Sequence, residues 1–193
     1  WYLDDHRNVV ENKDWVASIV SPMGCRAYLS PLYESGNLSP VDENDRPVFT
    51  GRFNGGAISL NLPMILRKAQ VEGKDFFKVL DYYLDRINQL HIKTYDYLCK
   101  LKASFDPVAF CQGGFGNLQP SDSIAPLVKK ATFSYGFTAL NELQELYNGH
   151  SLYQERRNPD CFAYKALKYI ADYVDEKKKH FGKDIPYIAA IYG

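Results

Sequence analysis

Hydrophobic and polar positions along this 193-residue chain fall into two periodicities. Four short, nearly continuous apolar runs, at 15–21, 56–62, 131–135 and 187–192, read as buried strands, rich in β-branched and aromatic residues. Between them apolar residues recur every three or four positions. The clearest case lies within 74–103, where Phe76, Leu80, Tyr83, Ile87, Leu90, Leu98 and Leu101 form one helical stripe with Thr94 in step. Lys78, Asp81, Asp85, Arg86 and Lys93 lie off that stripe, and Asp81 and Asp85 read as solvated. Further helices are predicted over 64–70 (Pro63 in the first turn, Gly73 at the end), 123–130, from Thr138 as cap to Tyr147, and 160–179. Residues 1–14 read as a helix end or connector and 34–47 as a surface loop. Residues 105–120 read as a loop containing the flexible connection CQGGFGN, and Gly136 breaks the third strand. Strands separated by helices define an α/β chain with a largely parallel sheet or barrel and its helices outside.

One break in the pattern carries chemistry. The run at 15–21 stops at Pro22, which cannot donate to a sheet ladder. Gly24 permits a tight turn, and Cys25 follows at the tip of a loop between two interior strands. A thiol so placed is the candidate reactive centre. Cys99 and Cys161 fall inside helical patterns and read as small hydrophobes. Cys111 opens a glycine-rich stretch that matches neither a P-loop nor a dinucleotide fingerprint. The sequence assigns no role to these three.

Composition narrows the function classes. Lys+Arg and Asp+Glu balance at 23 each, so no net field gathers nucleic acid or an anionic membrane. No apolar run approaches the ~20 residues of a membrane span. The cysteines form no C-x-x-C pair, and His6, His91, His150 and His180 lack metal-ligand spacing, so no metal site is expected. His91 reads as a surface or boundary residue. Well-separated, reduced thiols suit a cytoplasmic protein. The missing initiator Met and an end on an apolar strand suggest an excised segment.

Four motifs in order, SPMGCRAYLSPLY, GRFNGGAISLNLP, ATFSYGFTALNELQELYNG and YIAAIYG, resemble the catalytic subunit of anaerobic (class III) ribonucleoside-triphosphate reductases. The resemblance implies that 1–193 is one segment of a ten-stranded α/β barrel with an inserted finger loop. About four strands and several helices would be present, without the N-terminal regulatory or C-terminal glycyl radical domains. It implies conversion of ribonucleoside triphosphates to deoxyribonucleotides for DNA synthesis. Cys25 would be the finger cysteine that becomes a thiyl radical and removes the ribose 3′-hydrogen.

Asn54, in GRFNGG, is a candidate to contact the ribose or position the finger, or else to stabilise a turn before the second strand. Arg26 is a candidate for a phosphate contact or a structural ion pair. Ser134 is read at a strand-to-helix junction, where helix amides receive phosphate or simply begin a helix. The resemblance also implies a glycyl radical and zinc-binding cysteines outside this segment, formate or a thiol reductant, and ATP and deoxynucleotide effectors. It implies a radical S-adenosylmethionine activating enzyme and a homodimer, with the isolated segment inactive. Two other readings stand beside it. A pyruvate formate-lyase-like enzyme is disfavoured because that finger carries adjacent cysteines, whereas Gly24 and Arg26 flank Cys25. A non-catalytic α/β nucleotide-binding module is the other.

Overall fold

The computed structural model describes residues 2–3, 9–10, 22–23, 27–29, 31–48 and 51–193. Two short antiparallel pairs come first. β1 (Tyr2–Leu3) pairs with β2 (Val9–Val10), and β3 (Pro22–Met23) pairs with β4 (Ala27–Tyr28). The first pair replaces the helix end or connector expected over 1–14; β-branched Val9 and Val10 favour the extended state. Pro22 opens a strand instead of only ending one, at the position where a missing N–H is best tolerated. The strand expected at 15–21 and the turn at Cys25 lie outside the described residues.

β5 (Asn54–Asn61) runs directly into α1 (Leu62–Glu72), because the Asn61 side chain accepts from the Met64 N–H and Pro63 suits the first turn. Gly73, at φ +60°, ends α1. Asp75 then caps α2 (Phe76–Leu98) by accepting from the Lys78 N–H. The loop expected over 105–120 contains a helix, α3 (Pro107–Cys111), nucleated by Asp106 accepting from the Ala109 N–H. The glycine-rich connection after it is packed, not flexible: the Phe115 N–H donates to Ala109 O at 2.7 Å, and its ring lies 4.9 Å from that of Phe53.

After α4 (Ala125–Val128), β6 (Thr132–Thr138) continues straight through Gly136. The next helix, α5 (Leu140–Asn148), is entered from Ala139 in a left-handed conformation, φ +62°, and not from Thr138 as a cap. A short α6 (Leu152–Glu155), closed by a Ser151–Gln154 capping box, was not predicted. α7 (Phe162–Lys179) leads to β7 (Ile188–Tyr192). Cys99 and Cys161 stand at helix ends, not within helices, as the C-cap of α2 and the N-cap of α7.

The sheet has the order β5-β6-β7, all parallel, with helical crossovers between neighbours. This is the α/β, parallel arrangement that continuous apolar strands imply. Helix α2 lies across one face. Its buried residues are Phe76, Val79, Leu80, Leu84, Ile87 and His91. The stripe is therefore rotated from the predicted one, with Leu90 at 49% exposure and His91 taking the interior position.

Polar groups on α2 complete the packing. Tyr187 donates its hydroxyl proton to Asn88 Oδ1 at 2.6 Å, which leaves Tyr135 to donate to the Tyr187 oxygen at 2.5 Å. Both tyrosines are fully buried. Asp81 and Asp85, expected to be merely solvated, accept from Tyr169 and Tyr173 of α7, each at 2.7 Å. A buried hydroxyl left without an acceptor costs about 1–3 kcal/mol. Asn88→Ala should therefore lower the unfolding free energy by about that amount in urea titration, with an unchanged slope.

Candidate functional site

In a parallel ladder, register partners share a face and successive residues alternate. Phe133 and Tyr135 point to the α2 face, where both rings meet His91. The opposite face therefore carries Thr132, Ser134 and Gly136 of β6, with Ala57 and Ser59 of β5 and Ala190 and Tyr192 of β7 in register. This second face mixes small and polar side chains with the buried Ile188, the register partner of Thr132 on β7, and the Tyr192 ring. It is the candidate site.

A bulge aims Asn54 onto it. The register slips between Asn54 and Gly56, and Gly55 is needed there because a Cβ would fall 2.6 Å from the Phe133 ring. Asn54 Oδ1 accepts from the Gly56 N–H at 3.1 Å, which stabilises the bulge, while Nδ2 donates to Ser134 Oγ at 2.7 Å. Both roles weighed for Asn54, local support and a polar group on a site, are thus open to one side chain. Ser134 sits in mid-strand and buried, not at a strand-to-helix junction, because β6 runs four residues further before α5 begins. Two candidates 80 residues apart in sequence are brought into contact.

Cys25 and Arg26 lie outside the described residues. The strands on either side of them, β3 and β4, are paired, and β4 runs beside β7. Among the described thiols, Cys99 is pushed up in pKa by burial, and buried Cys161 donates to Gln144 Oε1 at 3.3 Å. The Cys99 shift is opposite to that of an activated thiolate. No group of three or more His, Cys, Asp or Glu side chains able to hold a metal ion occurs among the described residues.

Tyr192 and Arg52 shape the site further. The Tyr192 ring lies across Gly136, where a Cβ would come within 2.4 Å of it, and the Tyr192 hydroxyl reaches Ser59 Oγ at 2.6 Å. That contact spans the sheet from β7 to β5. It also explains why Gly136 does not break β6: the residue is small to admit a ring. Arg52, 6% exposed, donates from Nε to Lys130 O at 2.9 Å and ties the start of β5 to the approach of β6; burial lowers its pKa to about 10, still cationic at neutral pH.

His91 lies behind the site and is 1% exposed, contrary to the surface position expected for it. Residues 84, 87 and 91 share a helical face, which a purely apolar stripe overlooks. Its Nε2 faces the Ser134 carbonyl oxygen at 3.2 Å and must carry the proton there, since a carbonyl only accepts. Burial lowers its pKa to about 4, the carbonyl opposing slightly. The neutral ring thus anchors the backbone of Ser134 from the far side of the sheet. Thr132 was missed because the signal, alternation within Thr132-Phe133-Ser134-Tyr135, was read as a continuous apolar strand.

The described residues thus form an α/β protein with a three-stranded parallel sheet, one face of which carries the Asn54–Ser134 contact. The comparisons are more specific. The family described as anaerobic ribonucleoside-triphosphate reductase matches residues 2–189, and the chain belongs to that family. It is 28% identical over 180 residues to the anaerobic ribonucleoside-triphosphate reductase of Haemophilus influenzae, covering 91% of this chain and 23% of that protein. The Salmonella typhimurium enzyme of the same name is 31% identical over 144 residues, covering 72% of this chain and 19% of its own length. The Enterobacteria phage T4 enzyme is 31% identical over 134 residues, or 66% of this chain and 21% of that protein. The chain thus spans about a fifth of the length of the curated relatives it matches.

Two outcomes follow from this geometry. The folded pKa of His91 lies below its ordinary 6.5, so the unfolded chain binds the proton first. Its contribution to stability is intact above pH 6.5 and is lost as pH falls towards 4, by up to about 3 kcal/mol. Denaturant titrations between these pH values should show that slope, and His91→Gln should flatten it. Gly136→Ala forces a methyl against the Tyr192 ring and should lower stability by about 1–3 kcal/mol, a loss that Tyr192→Ala in the same chain relieves.

Proposed function

We propose that the parent of this chain is an anaerobic oxidoreductase that replaces the 2′-hydroxyl of ribonucleoside triphosphates by hydrogen, and that this segment supplies part of its active site. The observation that supports the reading is the Asn54–Ser134 contact on the polar face of the parallel sheet, in a chain of this family. The segment belongs to a ten-stranded barrel whose other strands and domains come from the rest of the parent. The relatives named above favour this over a pyruvate formate-lyase-like enzyme or a non-catalytic nucleotide-binding module.

In this reading Cys25, as a sulfur radical, takes the ribose 3′-hydrogen, forming its S–H bond and leaving a carbon radical. Asn54 and Ser134 hold the ribose and Arg26 meets a phosphate. The 2′-hydroxyl then departs as water, and the net change consumes two electrons and two protons, drawn from formate or a thiol reductant. The thiol is needed neutral and shielded from solvent, so thiolate activation is not part of the chemistry. A glycyl radical supplied elsewhere in the parent stores the unpaired electron between turnovers. The zinc-binding cysteines, ATP and deoxynucleotide effector sites, the contact with the radical S-adenosylmethionine activating enzyme and the homodimer interface are assigned to the parent, and the protein to the cytoplasm. The isolated segment is inactive.

The test is made on the full-length parent, activated without oxygen. Cys25→Ser should abolish formation of deoxyribonucleotide while leaving ribonucleotide binding within about twofold of wild type, since only the hydrogen-abstracting group is lost. Undiminished reduction by Cys25→Ser would overturn the assignment.

A further inference from the structure

We propose that Thr132 is a further ribose-binding group of this site and that it favours the 2′-hydroxylated substrate over the deoxy product. The inference rests on the ribonucleotide-reduction reading above. Thr132 is the register partner of Asn54 and stands two residues before Ser134 on β6, so their side chains share the face turned away from α2. Its hydroxyl oxygen is fully buried and has no hydrogen-bond partner among the described residues. Buried hydroxyls are almost always paired, and an unpaired one is a standing cost to the fold.

The neighbouring groups are spent in one direction only. Ser134 Oγ accepts from Asn54 Nδ2 and keeps its own proton; Asn54 Oδ1 is committed to the Gly56 N–H, while Nδ2 keeps a second hydrogen. Thr132 can both donate and accept. Such a set calls for a ligand dense in hydroxyl oxygens that accept and donate in turn, which describes the vicinal diol of a ribose. On the β5 edge of this face Ala57 and Ser59 are exposed, whereas Thr132 and Ser134 on β6 are fully buried. A site that pairs a ligand hydroxyl rejects the analogue lacking it, because its own polar group is left unpaired.

Thr132→Val keeps the shape of the side chain and removes the hydroxyl. In the full-length, anaerobically activated parent at fixed effector concentration, it should lower kcat/KM for the ribonucleotide by about tenfold to a hundredfold. The inhibition constant of the deoxy product should stay within about twofold, and Thr132→Ser should restore the substrate value. The melting temperature of Thr132→Val should equal or exceed that of wild type, which separates lost recognition from lost folding. Unchanged kcat/KM in a folded Thr132→Val, or an equal loss for substrate and product, would overturn the proposal. Failure of the underlying reading shows differently, as absence of turnover in the wild-type parent. Calorimetric titration of wild type and Thr132→Val with the ribonucleotide and its deoxy counterpart then decides the question by affinity alone.

Discussion

The structure depends on how α2 lies against the parallel sheet. Its apolar positions, Leu80 and Leu84 above all, are fully buried, and burial of side chains this size contributes on the order of 1.5–3 kcal/mol each. The contact is not purely apolar. Asn88 gathers the buried Tyr135 and Tyr187 hydroxyls, and His91 holds the Ser134 carbonyl, so the helix fixes the strands in one register. Slipping the helix by one position would strand several buried polar groups at once. Such groups are costly when unpaired, and that cost gives the interface its specificity.

The consequence reaches through the sheet. Because Phe133 and Tyr135 are committed to the helix side, Thr132, Ser134 and Gly136 face the other way. The bulge at Gly55 turns Asn54 towards Ser134, and the ring of Tyr192 packs against Gly136 and reaches Ser59. Asn54, Thr132 and Ser134 bring three polar side chains together on this face, beside the apolar Ile188. Rigid support from behind is what a positioning site requires, since small displacements of the reacting groups are expensive in rate. The neutral state of His91 matters for the same reason: a charged ring among Phe133, Tyr135 and Tyr187 would lose more by desolvation than one carbonyl returns.

Much of the fold was legible because local physics specified it. Pro63 with Asn61 before it, and Gly73 after it, bound α1 as caps do in any context. Periodicity found α2, α5 and α7, and continuous apolar runs found the three strands of the parallel sheet. The errors share a cause. Gly136 was read as a breaker because its reason for being small, the Tyr192 ring, lies 56 residues away in the chain. His91 was placed at the surface, and Asp81 and Asp85 in solvent, because their partners sit on β6 and α7. The pair at β1 and β2 was missed because two-residue strands carry almost no periodic signal.

For the site, the sequence by itself determined the chemical types and the family: a cysteine in a Pro-x-Gly-Cys setting, an Asn after Gly-Arg-Phe, and a Ser before Tyr-Gly. Those depend on residue identity and spacing, which the chain states directly. Only the tertiary structure decided that Asn54 and Ser134 touch, that Thr132 stands beside them without a partner among the described residues, and that His91 supports them from behind. The physical reason is that strand register and the bulge at Gly55 are set by long-range pairing, so which side chains share a face is a property of the packed sheet and not of any one segment.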